Sequence, residues 1–422
     1  MRIETQCVQA GYQPENGQPR ILPIYQSTTY KYDSAEHLGK LFDLSVPGHM
    51  YTRISNPTVE MVENKIAALE GGVGAMLTSS GQAANLLAVL NIASAGDNIV
   101  CASAIYGGTI NLFGFTLKRL GIEARFFTPE ATDEEISALF DERTRLVFGE
   151  TVANPALIVC DIERLAHIAH AHCVPLVIDN TFPTPVLCRP IEFGCDIVTH
   201  STTKYMDGHA SVVGGCIVDS GNFDWEKAGK FPELTEPDES YHGVVYTKSF
   251  GRAAYINKAR AQLMRDFGCT PQPIAAFILN LGLESLAVRM ERHCENAQAV
   301  AEYLEKHPKV SWVNFPGLAS SPQHALAQKY LPNGVCGVIS FGVRGGREAA
   351  MKFMDSLRLA QIVVHVADAR TSVLHPASTT HRQLTDEQLV DAGISADLVR
   401  LSVGIENIED ILEDLEQAFN KI

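Results

Sequence analysis

Residues 195–204 read "CDIVTHSTTK", a short run with branched apolar side chains followed by three hydroxyls and an amine. Alternation and branching mark the run as a strand interior. The chain therefore leaves a strand and at once presents Ser201, Thr202, Thr203 and Lys204. The same arrangement recurs upstream. "GAMLTS", "DNIVCAS", "RLVFGE" and "PLVIDNT" are all short and rich in Val, Ile and Leu, and stretches with helical spacing such as "DIERLAHIAHAH" separate them. Strands buried on both faces and alternating with helices predict an α/β fold with a mostly parallel sheet. In such sheets ligands sit beyond the carboxyl ends of the strands. The residues found there are Ser79, Ser80, Gly81, Tyr106, Glu150, Asp179 and Ser201 to Lys204.

A chain of 422 residues with 46% hydrophobic content has room for two or three domains. Its net charge of -15 and lack of basic clusters argue against nucleic-acid binding. No apolar run reaches the ~18 residues of a membrane helix, and "MRIETQCVQAG" lacks the pattern of a secretory signal, so no membrane association and a cytoplasmic location are expected. The 10 cysteines form no CxxC pair, and several (Cys101, Cys195, Cys216) lie in apolar runs, so neither disulfides nor a metal site is expected. A small-molecule substrate fits best. The organisation read from composition is an arm over 1–59, a large domain over 60–280 and a smaller C-terminal α/β domain over 281–422. Within the large domain, about 219–255 reads as an inserted loop region because it is rich in Pro, Gly and charge. The stretch 283–307 reads as one amphipathic helix, "GVISFGV" as a strand and 407–422 as a closing acidic helix.

Each candidate motif has an ordinary reading when taken alone. "TSSGQAANLLAVL" turns a strand into a helix whose first N–H groups are able to hold a phosphate, yet Ser-Gly at such a turn is more often a plain cap. Asp179 could cap a turn or pair with a cationic ring nitrogen. Lys204 could be a solvated lysine or a desolvated nucleophile for imine chemistry. Their joint occurrence is more specific. An anion site from Gly81, Gln82, Ser201 and Thr203, an Asp for a pyridinium, Tyr106 for stacking and one Lys for an imine together describe a pyridoxal 5'-phosphate site.

The motifs "YTRISNPT", "SSGQAA", "YGGT", "ETVANP", "IDNTF", "HSTTKY", "HPASTTH" and "VRLSVGIE" run through nearly the whole chain in one order. Through them the chain resembles the Cys/Met-metabolism family of pyridoxal-phosphate enzymes, of fold type I (aspartate aminotransferase-like). The resemblance implies that Lys204 holds the cofactor and that Ser201, Thr203, Gly81 and Gln82 bind its phosphate. Asp179, with Thr181 beside it in "IDNTF", would serve the ring nitrogen, Tyr106 would stack on the ring and Asn154 would lie near the ring hydroxyl. Arg400 would fork the α-carboxylate of the substrate. Tyr51 and Arg53 would reach the phosphate from a neighbouring subunit, which implies a homo-oligomer, commonly a homotetramer built as a dimer of dimers. Lys204, Tyr106 and Tyr51 are the residues expected to act in catalysis, with His365 a further substrate contact.

"YGGTINLF", "SSGQAA", "PDESYHGVVY" and "HPASTTHRQLTDEQL" look most like the O-acetylhomoserine sulfhydrylases of that family, which use sulfide or a thiol. One departure stands out. In "HVADARTSVLHPAS", His365 and Ala367 occupy positions that usually carry Asn or Ser and Gly in that family. An imidazole adds a donor near the carboxylate site, and Ala costs something if its backbone needs positive φ. A methionine or homocysteine γ-lyase and a cystathionine γ-synthase-like enzyme are the nearest alternatives, although γ-lyases usually carry Cys where this chain has Gly108. A non-catalytic binding protein would be expected to lack Lys204 or Asp179, and a dinucleotide enzyme would need GxGxxG in place of "TSSGQAAN".

Overall fold

Strands β1 (Gly74–Thr78), β2 (Asn98–Ala102), β3 (Glu123–Phe127), β4 (Thr144–Glu150), β5 (Leu176–Asp179), β6 (Ile197–His200) and β7 (Gly215–Asp219) form one sheet in the order β1-β7-β6-β5-β4-β2-β3. The computed structural model describes residues 1–379 and 395–422. Only β7 runs against the rest, pairing antiparallel with both β1 and β6. Strands β4, β5, β6 and β7 are buried along their length apart from the partly exposed Arg145, as expected for a sheet covered by helices on both faces. Register then sets the site. Glu150 stands opposite Asp179 across β4 and β5, and Asp179 opposite Thr199 across β5 and β6, so strand ends that are distant in sequence meet at one edge of the sheet.

Helices flank these strands, and their ends follow local rules. Asn56 accepts the Thr58 N–H at 2.9 Å, Pro57 opens the helix Pro57–Glu70, and Gly71 closes it at φ 81°. Ser80 accepts the Ala83 N–H at 3.1 Å and starts the helix Gly81–Leu90 directly behind β1. A second sheet, in the order β10-β11-β12-β9-β8, holds β8 (Val310–Asn314), β9 (Val338–Val343), β10 (Gln361–Ile362), β11 (Ser372–Leu374) and β12 (Leu398–Ser402). It carries Arg400 opposite Ser340 on one side and Leu374 on the other.

Two expectations differ from the structure. The stretch 219–255 is not an open loop. It folds into short helices at Trp225–Ala228, Pro232–Thr235 and Tyr246–Phe250. They are held by an aromatic cluster in which the Trp225 ring lies 4.9 Å from Phe231 and stacks 5.5 Å from Tyr255; the Pro and Gly residues punctuate single helical turns. The helix expected over 283–307 begins at Leu286, because the chain bends by 59° between Pro273–Glu284 and Leu286–Lys306. Among the described residues no single helix is long and apolar enough to cross a membrane. The part of "HPASTTHRQLTDEQL" beyond Thr379 lies outside the described residues.

Candidate active site

Lys204 is positioned by the turn that follows β6. Its N–H donates to the Ser201 carbonyl at 3.2 Å, and its carbonyl accepts the Gly208 N–H at 2.8 Å. The chain then loops back through Gly214, where the Thr203 hydroxyl lies 3.0 Å from both the Gly214 carbonyl and the Gly214 N–H. Thr203 is therefore already engaged, and serving an anion would require its proton to swing away from Gly214. The Lys204 amine lies 3.5 Å from His365 Nδ1. Burial, foremost, and then the positive charge of Arg400 pull its pKa down to about 8, against an opposing pull from Asp368.

Asp179 lies deep at the end of β5. Its Oδ1 accepts the Thr181 hydroxyl at 2.5 Å and the Thr181 N–H at 3.1 Å, and its Oδ2 accepts Asn85 Nδ2 at 3.3 Å. Burial pushes its pKa up, while the Thr181 and Asn85 donors and the nearby His200 oppose that shift. Thr181 also accepts the Ser201 N–H at 2.8 Å. Its side chain thus joins Asp179 to the hydroxyl turn, so in this structure it is a brace between two strand ends rather than a direct outward donor. Glu150 accepts the Tyr106 N–H at 2.6 Å, and burial, with the Asp179 charge next, pushes its carboxyl well above the usual range.

The helix tip at Gly81 approaches the turn so closely that a Cβ there would stand 2.6 Å from Ser201 Cβ and 2.9 Å from its Cα. Ser80 takes up the N–H groups of Ala83 and Ala84, which leaves the Gly81 and Gln82 amides at the tip to face an acceptor. The buried Gln82 Oε1 has no hydrogen-bond partner. Gly108 is equally constrained, since a Cβ would meet Tyr106 Cε1 at 2.4 Å and Gln82 Nε2 at 2.7 Å. The Tyr106 ring itself is about half exposed. Gly81→Ala is expected to force the tip and the turn apart and to weaken cofactor retention about tenfold or more, at the ~1–3 kcal/mol typical of overpacking. Equilibrium dialysis against pyridoxal phosphate measures this directly, and unchanged retention would remove Gly81 from the cradle.

On the second sheet, Arg400 is 8% exposed and bonded to neutral groups, with Nη1 3.4 Å from Asn154 Oδ1 and Nη2 3.1 Å from the Val364 carbonyl. No described carboxylate pairs with it. Burial lowers its pKa to about 10. Ala367 has φ 68°, in the left-handed region where Gly is at ease, and it is fixed there by its N–H donating to Ser402 Oγ at 2.8 Å. This turn aims the His365 ring at Lys204, whereas no hydrogen bond joins it to Arg400.

These residues fit pyridoxal phosphate: a cradle with no room for a Cβ, helix-tip amides free to donate, a deep carboxylate and a desolvated lysine. A family model for Cys/Met metabolism PLP-dependent enzymes matches residues 4–420. The chain belongs to that family. It is 49% identical to a homocysteine synthase of Schizosaccharomyces pombe over 99% of this chain and 97% of the relative. It is 48% identical to O-acetyl-L-homoserine sulfhydrylase 1 of Thermus thermophilus over 99% and 100%. A crystal structure from Campylobacter jejuni, assigned as an O-acetylhomoserine (thiol)-lyase, superposes with a TM-score of 0.95 at 35% identity, covering 100% of both chains. That protein carries an N'-pyridoxyl-lysine-5'-monophosphate residue.

In this member of the Cys/Met metabolism family, one chain brings together Lys204, Ser201, Thr203, Thr181 and Asp179, with Gly81, Gln82 and Tyr106 at the helix tips and Asn154, Arg400 and His365 across from them. It does not bring in Tyr51 or Arg53. Tyr51 is 42% exposed, and the Arg53 guanidinium lies 5.4 Å from its ring centroid, with neither sharing a hydrogen bond or ion pair with the residues around Lys204. The strand-end pattern does not point to Asn85 or Asp368, and it gives Glu150 a place at the sheet edge but no role. Asn85 was findable, since it lies four residues after Gly81 on the same helix. Asp368 follows His365 by three residues on an irregular turn, which no periodicity reports.

Proposed function

We propose that this enzyme catalyses γ-replacement on O-acetyl-L-homoserine, using sulfide or methanethiol and giving L-homocysteine or methionine with acetate. The observation that carries the reading is a buried lysine amine near a buried arginine that has, among the described residues, only neutral partners. Such a site suits an α-amino acid whose carboxylate completes Arg400 while its amine approaches Lys204. Sulfhydrylase and homocysteine synthase relatives at 48% and 49% identity supply the acyl group and the sulfur nucleophile.

Pyridoxal phosphate, when bound, supplies the electron sink that makes the α and β protons of the substrate removable. Asp179, braced by Thr181 and Asn85, would pair with the protonated ring nitrogen. The Gly81 and Gln82 amides, with Ser201 and Thr203, hold the phosphate. Arg400 and Asn154 fix the substrate carboxylate so that the α and β protons lie towards Lys204. Lys204 would take the α proton, release it and then take the β proton; the electron pair freed at the β carbon expels acetate from the γ carbon, sulfide adds there, and protons return to the β and α carbons. In this reading the Tyr106 hydroxyl would hold a proton for the leaving or entering group. Gly108 speaks against the γ-lyase alternative, whose members usually carry Cys there; a Cβ at this position would press on the Tyr106 ring.

The same reading places residues 1–59 as an arm on a neighbouring subunit, 60–280 as the cofactor domain and 281–422 as the C-terminal domain, in a cytoplasmic homotetramer assembled as a dimer of dimers. The exposure of Tyr51 and Arg53 supports it. Arg53→Ala is expected to loosen both cofactor and subunit contact, read by dialysis and sedimentation; tight retention would end the cross-subunit role. The functional test is a paired assay on purified protein, O-acetylhomoserine plus sulfide in one vessel and methionine or homocysteine alone in another. Homocysteine dominating supports γ-replacement. Dominant 2-oxobutyrate would instead make the protein a γ-lyase.

A further inference from the structure

His365 lies between two groups that could exchange or stabilise a proton. Nδ1 is 3.5 Å from Lys204 Nζ, and Nε2 is 3.6 Å from Asp368 Oδ2. Nε2 is buried and has no hydrogen-bond partner at closer range. Asp368 is 6% exposed, and its other oxygen accepts the Arg370 N–H at 2.8 Å, which fixes the carboxylate. A carboxylate facing Nε2 favours the tautomer with hydrogen on that nitrogen. Nδ1 is then left with a lone pair directed at the lysine. The charged groups around the ring are Lys204 and Asp207 from the turn after β6, Arg400 from β12, and Asp368 from its own segment. Burial, followed by the positive charge of Lys204, holds the imidazole below its ordinary value. Near neutral pH the ring is therefore uncharged and able to accept.

We propose that His365 is the proton acceptor of Lys204. An N–H bond of the lysine ammonium breaks, its electron pair stays on Nζ, and the proton bonds to Nδ1. The positive charge then sits on the imidazolium facing the Asp368 carboxylate, and the transfer reverses when Lys204 needs a proton. Lys204 must be neutral both to capture the cofactor aldehyde and to act as a base, so this arrangement serves both steps. It also explains why a strained Ala367 turn is tolerated, since that turn is what aims the ring. The inference rests on the cofactor role proposed for Lys204 and deepens it.

The test measures how fast unloaded protein captures pyridoxal phosphate, together with kcat and KM of the loaded enzyme, in wild type, His365→Asn and His365→Ala. Asn keeps polarity and fold but cannot take a proton. Both variants are expected to capture cofactor and turn over about tenfold or more slowly, with KM for the amino acid changed far less. Added imidazole should restore His365→Ala and leave wild type unaffected, a response that a merely structural role would not give. In ¹⁵N-histidine NMR of wild type, the signal lost in His365→Asn should show hydrogen on Nε2 at neutral pH, and Asp368→Asn should move its titration lower. Wild-type capture rates in His365→Asn, no response to imidazole, or hydrogen on Nδ1 would each overturn the proposal. Normal imidazole rescue of capture in a protein that makes no homocysteine would instead overturn the assigned reaction and leave His365 in place.

Discussion

Replacing Lys204 with alanine is expected to reduce turnover by about 10⁴-fold or more, because one side chain is assigned both the covalent hold on the cofactor and the movement of two protons. Its environment is suited to that work. With a pKa of about 8, about one amine in ten is neutral at pH 7, against about one in three thousand for a lysine at the ordinary 10.5. The sign is set by burial and by Arg400, both of which disfavour the ammonium. Cofactor capture by unloaded wild-type protein should accordingly rise with pH through about 8, well below an ordinary lysine. Lys204→Ala should show no covalent capture at any pH while retaining some cofactor through Gly81, Ser201 and Asp179. Turnover at the wild-type rate, or a capture profile centred near 10.5, would break the assignment.

Arg400→Ala is expected to raise KM for the amino acid by about 30-fold to several thousand-fold, the equivalent of ~2–5 kcal/mol for removing one member of a buried charge pair. The effect should fall chiefly on KM, since the carboxylate contact is present before and during the reaction. A second consequence separates this role from general damage. Arg400 is the cation that, after burial, depresses Lys204, so its loss should move the capture profile upward in pH. Arg400→Lys should recover part of that electrostatic effect but less of the binding, because an ammonium cannot fork a carboxylate. An unchanged KM with an unchanged capture profile would take Arg400 out of the site.

Most of the site was legible because its residues follow strands whose apolar runs are unmistakable. "PLVID" and "CDIVTH" fix Asp179 and Lys204 as strand-end residues before any partner is known, and parallel register does the rest. What escaped depends on distances between elements. The brace role of Thr181 requires knowing that the Ser201 N–H faces its hydroxyl. Asp368 gains meaning only once Ala367 turns at φ 68°. The stretch 219–255 looked open because Pro, Gly and charge mark both loops and the ends of one-turn helices, and only the packing of Trp225 on Phe231 and Tyr255 separates the two.

The Thr181 hydroxyl ties the end of β5 to the start of the turn after β6, so the carboxylate proposed for the ring nitrogen and the hydroxyls proposed for the phosphate are braced against each other across strands about 4.8 Å apart. The sheet acts as a fixed ruler. The turn at His365 lies outside this brace, so on the proposed reading a change there would not alter the length the cofactor has to span. Analogues of the cofactor that are stretched by even one bond between ring and anion should therefore be rejected whatever the surrounding segments contain.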